Sequence, residues 1–217
     1  MLQKWIDSNV LKFCQEFYRN SWFFIKKHSE KYWIINAVMY MNKHTIRNVN
    51  LLSNCEKFSE EFAEMTVSSL LNLFSDYDQI ELHSDFQNMI IFMTFFELLQ
   101  QIIFFMRAMN LSTQFSWEII QMLNFNISYN TEVFIDDIEI KKSKTKYDNE
   151  KSLSEIHHFI LEHLQILNHV FLILKLTNVK IFEEKSYFDQ SEIVIVEYLC
   201  NYERRHSKAA KISKIMN

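Results

Sequence analysis

Residues 155–169, EIHHFILEHLQILNH, hold the densest set of groups able to do chemistry, with Glu155 and His158 spaced E-x-x-H and Glu162 one helical turn further on. On a helix that spacing turns a carboxylate and an imidazole to one side, as in half of a di-metal bundle site. The zincin pattern H-E-x-x-H is missing. The plainer reading makes His158, Glu162 and His169 polar flanks of an apolar stripe formed by Phe159, Leu161, Leu164, Leu167, Val170 and Phe171. On that reading neither a metal nor another cofactor is expected. Serine, histidine, cysteine and acidic residues also occur, but a triad is recognised by geometry and no local motif singles one out. The chain is therefore expected not to be an enzyme. Cys14, Cys55 and Cys200 are far apart and in no C-x-x-C pair, so the expectation is buried thiols in a reducing compartment rather than disulfides or zinc.

Composition narrows the classes further. The 217 residues are 48% hydrophobic, enough to bury a core, and contain neither glycine nor proline. Gly-rich phosphate loops and nucleophile elbows are thereby excluded. Turns and helix ends must use Asn, Asp and Ser instead. Abundant Phe, Ile, Asn and Lys with little Ala or Arg match an AT-rich coding sequence. A net charge of -4 argues against coating nucleic acid over the whole surface. The tail is locally basic: Arg204, Arg205, Lys208, Lys211 and Lys214 could meet phosphates or an acidic partner, or complement a helix dipole.

The elements that must position these groups are expected to be helices. Ser53 with Glu56, Ser84 with Gln87 and Ser152 with Glu155 each fit the capping box. Helices are predicted near 2–19, 21–28, 31–46, 54–75, 85–109, 113–125, 153–176 and 190–210. The apolar run 89–106 is interrupted by Glu97, Gln100 and Gln101, so it is expected to be a buried core helix rather than a membrane span. No secretory signal is expected, because charges interrupt the first apolar pattern. Residues 128–140, SYNTEVFIDDIEI, alternate with a period near two and could form a short strand or an extended loop. The polar stretch that follows reads as a linker.

At the start of the chain, Leu2, Trp5, Ile6, Val10 and Phe13 recur at spacings of three and four. Trp5 is either core, if this helix folds back, or an anchor for a partner, if it projects. The residues Gln3-Lys4-Trp5, the FYRN of Phe17 to Asn20, YWIINAV of Tyr32 to Val38, CEKFSEEF of Cys55 to Phe62 and the segment Lys146 to Leu167 together resemble the meiotic double-strand-break accessory family of the Mei-four type. The resemblance implies a non-catalytic nuclear scaffold on chromosome axes. It would bind a Rec-one-fourteen-type partner through the first helix and assemble with a Mer-two-type axis protein. Leu2, Trp5, Ile6, Val10 and Phe13 would then be partner-facing. The long spacer usual in that family between first helix and body is absent, and direct DNA contact by Arg204, Arg205, Lys208 and Lys211 is our own expectation from charge. The expected architecture is all-α, HEAT-like or irregular. It comprises a partner helix (1–16), a main body (17–135), a linker (136–152) and carboxy-terminal helices (153–217). The alternative is a helical host-factor-binding protein of an AT-rich virus or parasite.

Overall fold

A computed structural model describes residues 2–26, 32–48, 58–60, 62–74, 79–95, 97–104, 108–124, 130–141, 144–146, 149–151, 155–195 and 198–207. It is mixed α/β, with strands in four sheets, so the all-α, HEAT-like expectation is overturned. The short Phe-, Ile-, Tyr- and Trp-rich runs taken for helices are β-formers that periodicity alone does not separate from buried helix. Without glycine or proline, the usual marks of strand ends are also missing.

The chain divides into two compact units, the first formed by Met1–Val49 and Ser75–Phe115. In it, α1 (Leu2–Asp7) stops after six residues and β1 (Leu11–Phe13) follows, where one helix over 2–19 was expected. Asn9, at a φ of 56°, makes the break in the place a glycine would usually take. β2 (Ser21–Lys26) and β3 (Tyr32–Ala37) pair antiparallel where helices 21–28 and 31–46 were expected. Among the described residues there, only α2 (Met39–His44) is helical. The expected core helix 85–109 is instead α3 (Ser84–Gln87), then β5 (Ile91–Met93) and β6 (Leu98–Gln101), with β1 on the outer side of β6. His83, not Ser84, caps α3 through its side chain. Leu11, Phe92 and Leu99 form a buried cluster in this unit. α4 (Leu111–Asn124), close to the expected 113–125, spans the division.

The second unit comprises Asn50–Phe74 and Ser116–Asn217. Its main sheet has the order β7 (Thr131–Phe134), β8 (Asp137–Lys141), β4 (Ser68–Asn72) and β9 (Tyr187–Gln190). The described part of the alternating stretch 128–140 is thus a hairpin from Thr131 on, while β4 lies inside the expected helix 54–75. α5 (His158–Leu176) matches the end of the expected 153–176 helix but starts later, after His157. The Ser53 box and Ser152 lie outside the described residues. Where the helix 190–210 was expected, the described residues form strands, with β10 (Glu192–Ile195), β11 (Tyr198–Asn201) and β12 (Arg205–Ser207) in one antiparallel sheet.

Register explains what each face of the main sheet does. Asn72 pairs with Asp137, Leu70 with Glu139 and Ser68 with Lys141, so these six share one face. Phe58, Phe62, Ile193, Ile195 and Cys200 cluster with Leu70 there. Burial pushes the Cys200 thiol up to about 11, so it stays a protonated core group. The opposite face carries Ser69, Leu71, Ile138 and Ile140, all fully buried. Helix α5 packs on β8. It buries His163, whose Nε2 is 2.8 Å from Ser69 Oγ.

Candidate functional site

Strands β7 and β8 meet through the two-residue loop Ile135–Asp136, closed by the pair Phe134 and Asp137. Such a loop needs a positive φ at its first position, normally met by Gly, Asn or Asp. Here the residue is Ile135, at a φ of 57°. The left-handed region costs an L-residue about 1–2 kcal/mol, and a branched Cβ makes it an outlier. Strain of that kind concentrates where a loop must present particular side chains. Replacing Ile135 by Asn should raise stability by about 1 kcal/mol. A thermal melt would show it, and a lowered midpoint would contradict this account of the turn.

What the turn presents is a pair of carboxylates. Directly across from Asp137, at the end of β4, stands Asn72, only 7% exposed. Its Nδ2 donates to Asp137 Oδ1 at 2.7 Å and to Asp136 Oδ2 at 3.3 Å. The backbone around Asn72 is pinned on both sides. Its N–H donates to Ser186 Oγ at 3.1 Å, and its carbonyl accepts from the Phe182 N–H at 2.7 Å. Leu73 N–H donates to the Asp136 carbonyl at 2.8 Å, which ties the turn to β4. Burial pushes the Asp137 carboxyl above its ordinary range; the hydrogen bond from Asn72 pulls it back, the Asp136 charge adds to the rise, and Lys185 opposes it.

Two further buried groups lie on opposite faces of the same sheet, Glu139 in β8 and His163 on α5. Glu139 is 1% exposed, and among the described residues neither carboxyl oxygen has a hydrogen-bond partner. Burial first, then the charges of Asp137 and Glu132, raise its pKa well above the ordinary 4.5, against the pull of Lys141. Lys141 is itself engaged by Glu132. On the other face His163 bonds Ser69 Oγ, which also accepts from the Asp189 N–H at 3.0 Å. Burial lowers the His163 pKa while Asp189, 3.6 Å away, opposes that, so the ring is held neutral and buried. With Ser69 and His163 fully buried, Asp189 exposed and no partner for Nδ1 among the described residues, this set reads as packing of α5 on β4.

The residues singled out from sequence fall elsewhere. Leu2, Trp5, Ile6 and Val10 pack against the Leu11, Phe92 and Leu99 cluster, while Phe13 is 57% exposed on β1. Arg205 donates to Ser59 Oγ at 2.7 Å and Glu60 Oε1 at 3.2 Å and lies over the Tyr198 ring. Arg204 sits in the turn before β12, and Lys208 and Lys211 lie outside the described residues. His158 and Glu162 approach to 3.8 Å on α5, but Glu155 lies before the helix, so the E-x-x-H spacing does not place its two members on one helical face. Glu203 and His206 repeat that spacing in the β11–β12 turn and on β12. Among the described residues no group of three or more His, Cys, Asp or Glu side chains could hold a metal ion. Asn72, Asp136 and Asp137 were missed, since the loop dipeptide Ile135–Asp136 is none of those that mark a two-residue hairpin.

No protein-family model and no curated protein matches the sequence. Solved structures do match the fold. One, the foamy viral protease-reverse transcriptase dRH in complex with ds DNA, superimposes with a TM-score of 0.81 at 17% identity, over 98% of this chain and 35% of that one. A second, the same enzyme in complex with dsDNA, gives 0.81 at 16% identity over 100% of this chain and 42% of that one. A third, with an RNA/DNA hybrid, gives 0.79 at 16% identity, again over 100% of this chain but 27% of that one. The chain thus spans less than half of each of these proteins, whose fold it shares. Those proteins are enzymes, so the likeness lends no support to the expectation of a non-enzyme.

Proposed function

We propose that this chain is a nucleic-acid-duplex-binding domain built on the polymerase part of a reverse-transcriptase scaffold. The observation that carries the proposal is the fold itself, shared over 98% to 100% of this chain with enzymes solved on dsDNA and on an RNA/DNA hybrid. Within it the strained β7–β8 hairpin sets two adjacent carboxylates against the end of a central strand. The protease half of such proteins is a poorer fit. An aspartic-protease dyad holds two carboxylates that share one proton, whereas here each carboxylate takes its own bond from an amide. A net charge of -4 requires the duplex to be met by a local surface.

Nucleotidyl transfer of the two-metal kind needs a pair of divalent cations about 3.5–4 Å apart, clamped by carboxylates. The donor set here does not fit that pair. Two carboxylates supply too little charge for two dications, and the third group, Asn72, points an N–H donor at both of them. We therefore read the domain as binding duplex without carrying that reaction.

The meiotic scaffold, with its Rec-one-fourteen-type and Mer-two-type partners on nuclear chromosome axes, and the host-factor binder remain proposals from sequence. The helical body that both assumed is not what the chain forms. Fluorescence anisotropy with a labelled RNA/DNA hybrid and with dsDNA tests the duplex reading. Binding should weaken at least about tenfold between about 50 and about 200 mM salt. No binding at the low end, to either duplex, would overturn it.

A further inference from the structure

We infer that Asn72 is an internal substitute for a cation. Its amide occupies the Asp136–Asp137 pair, and this one residue decides whether the hairpin can hold divalent metal. Asp136 and Asp137 are adjacent in a tight turn, and Asn72 pairs in register with the second of them. Two neighbouring carboxylates repel unless a positive group or a donor lies between them. The Asn72 Nδ2 fills that place with two hydrogens, one for each carboxylate.

A dication entering the same space would meet those hydrogens. To admit it, Asn72 must turn its amide over, give up both hydrogen bonds and offer a neutral oxygen. Its backbone is tied at the N–H by Ser186 and at the carbonyl by Phe182, so the side chain cannot move aside with the strand. An aspartate at position 72 is nearly the same shape and reverses the electrostatics. It would place a third carboxylate on the pair, and affinity for hard cations follows ligand charge and number.

The test is Mn2+ binding, followed by electron paramagnetic resonance of the free ion and by thermal melts with and without the metal. The intact chain should bind Mn2+ at this hairpin only weakly, with a dissociation constant on the order of millimolar or above. Asn72→Asp should bind at least about tenfold more tightly. That gain should vanish in Asn72→Asp/Asp136→Asn. Added Mn2+ should raise the melting temperature of Asn72→Asp and leave the wild type unmoved. Equal affinity of wild type and Asn72→Asp overturns the inference, as does the absence of any gain.

If Asn72→Asp does not fold without metal, wild type against Asp136→Asn decides the matter. A tight wild-type site lost in that variant overturns the inference, and weak binding indifferent to it supports the inference. The link to lost nucleotidyl transfer rests on the reverse-transcriptase reading, but the metal readout does not. Failure to bind duplex and failure of the Asn72 switch are therefore separately visible.

Discussion

Glu139→Met should stabilise the second unit at pH 7 by about 1–3 kcal/mol, read as a shift in the urea midpoint without a change in slope. Core carboxylates are seldom tolerated, and this one has no hydrogen-bond partner for either oxygen among the described residues. It faces Glu132 across β7, Leu70 across β4 and, along its own strand, Asp137 and Lys141. Its folded pKa lies above the ordinary value of 4.5, so the folded state holds the proton more tightly than the unfolded state does. The cost is absent below pH 4.5 and grows as the pH rises past that value toward the folded pKa. Wild-type stability should accordingly fall on going from mildly acid to neutral pH, and Glu139→Gln should flatten that fall. His163 acts in the opposite direction. Its pKa is lowered from 6.5, so the stability it contributes is present above that pH and is lost on acidification. Unchanged stability in Glu139→Met, with an unchanged pH profile, would show that the carboxyl is solvated in solution.

Leu71→Ala should be the more damaging substitution, lowering stability by about 2–5 kcal/mol. Leu71 is fully buried in β4, paired with Ile138 and one residue from Asn72. Removing its side chain leaves a cavity beneath the strand that holds the carboxylate pair. The loss should appear in the urea midpoint. A change below about 0.5 kcal/mol, the size typical of surface positions, would mean that this face of the sheet is not packed as described.

Some of this was legible in the residues themselves. The alternation in SYNTEVFIDDIEI gives β7 and β8, and the apolar stripe ending near Leu176 gives α5. Most strands were not legible. In SWFFIK and YWIINA every second position is not polar, because a short aromatic run reads equally well as buried helix. Nor did turns announce themselves, since Asn9, Asn110, Asn149 and Asn178 adopt positive φ where glycine would usually mark the place. Ile135 and Glu155, also at positive φ, are residues no turn preference would select. The site was hidden for a different reason. Asn72 lies about sixty residues from the hairpin in sequence, and only the β4–β8 register brings its amide onto Asp136 and Asp137. The Trp5 question has a local structural answer, because Trp5 packs with Leu2, Ile6 and Val10 onto the Leu11, Phe92 and Leu99 cluster.

The measurement that bears most directly on the duplex-binding account is amide hydrogen exchange of the whole chain with and without an RNA/DNA hybrid. Duplex binding should slow exchange in at least one set of peptides at low salt, and that protection should fade as the salt rises to about 200 mM. Saturating hybrid at low salt that leaves every peptide at its free rate would contradict the duplex-binding account.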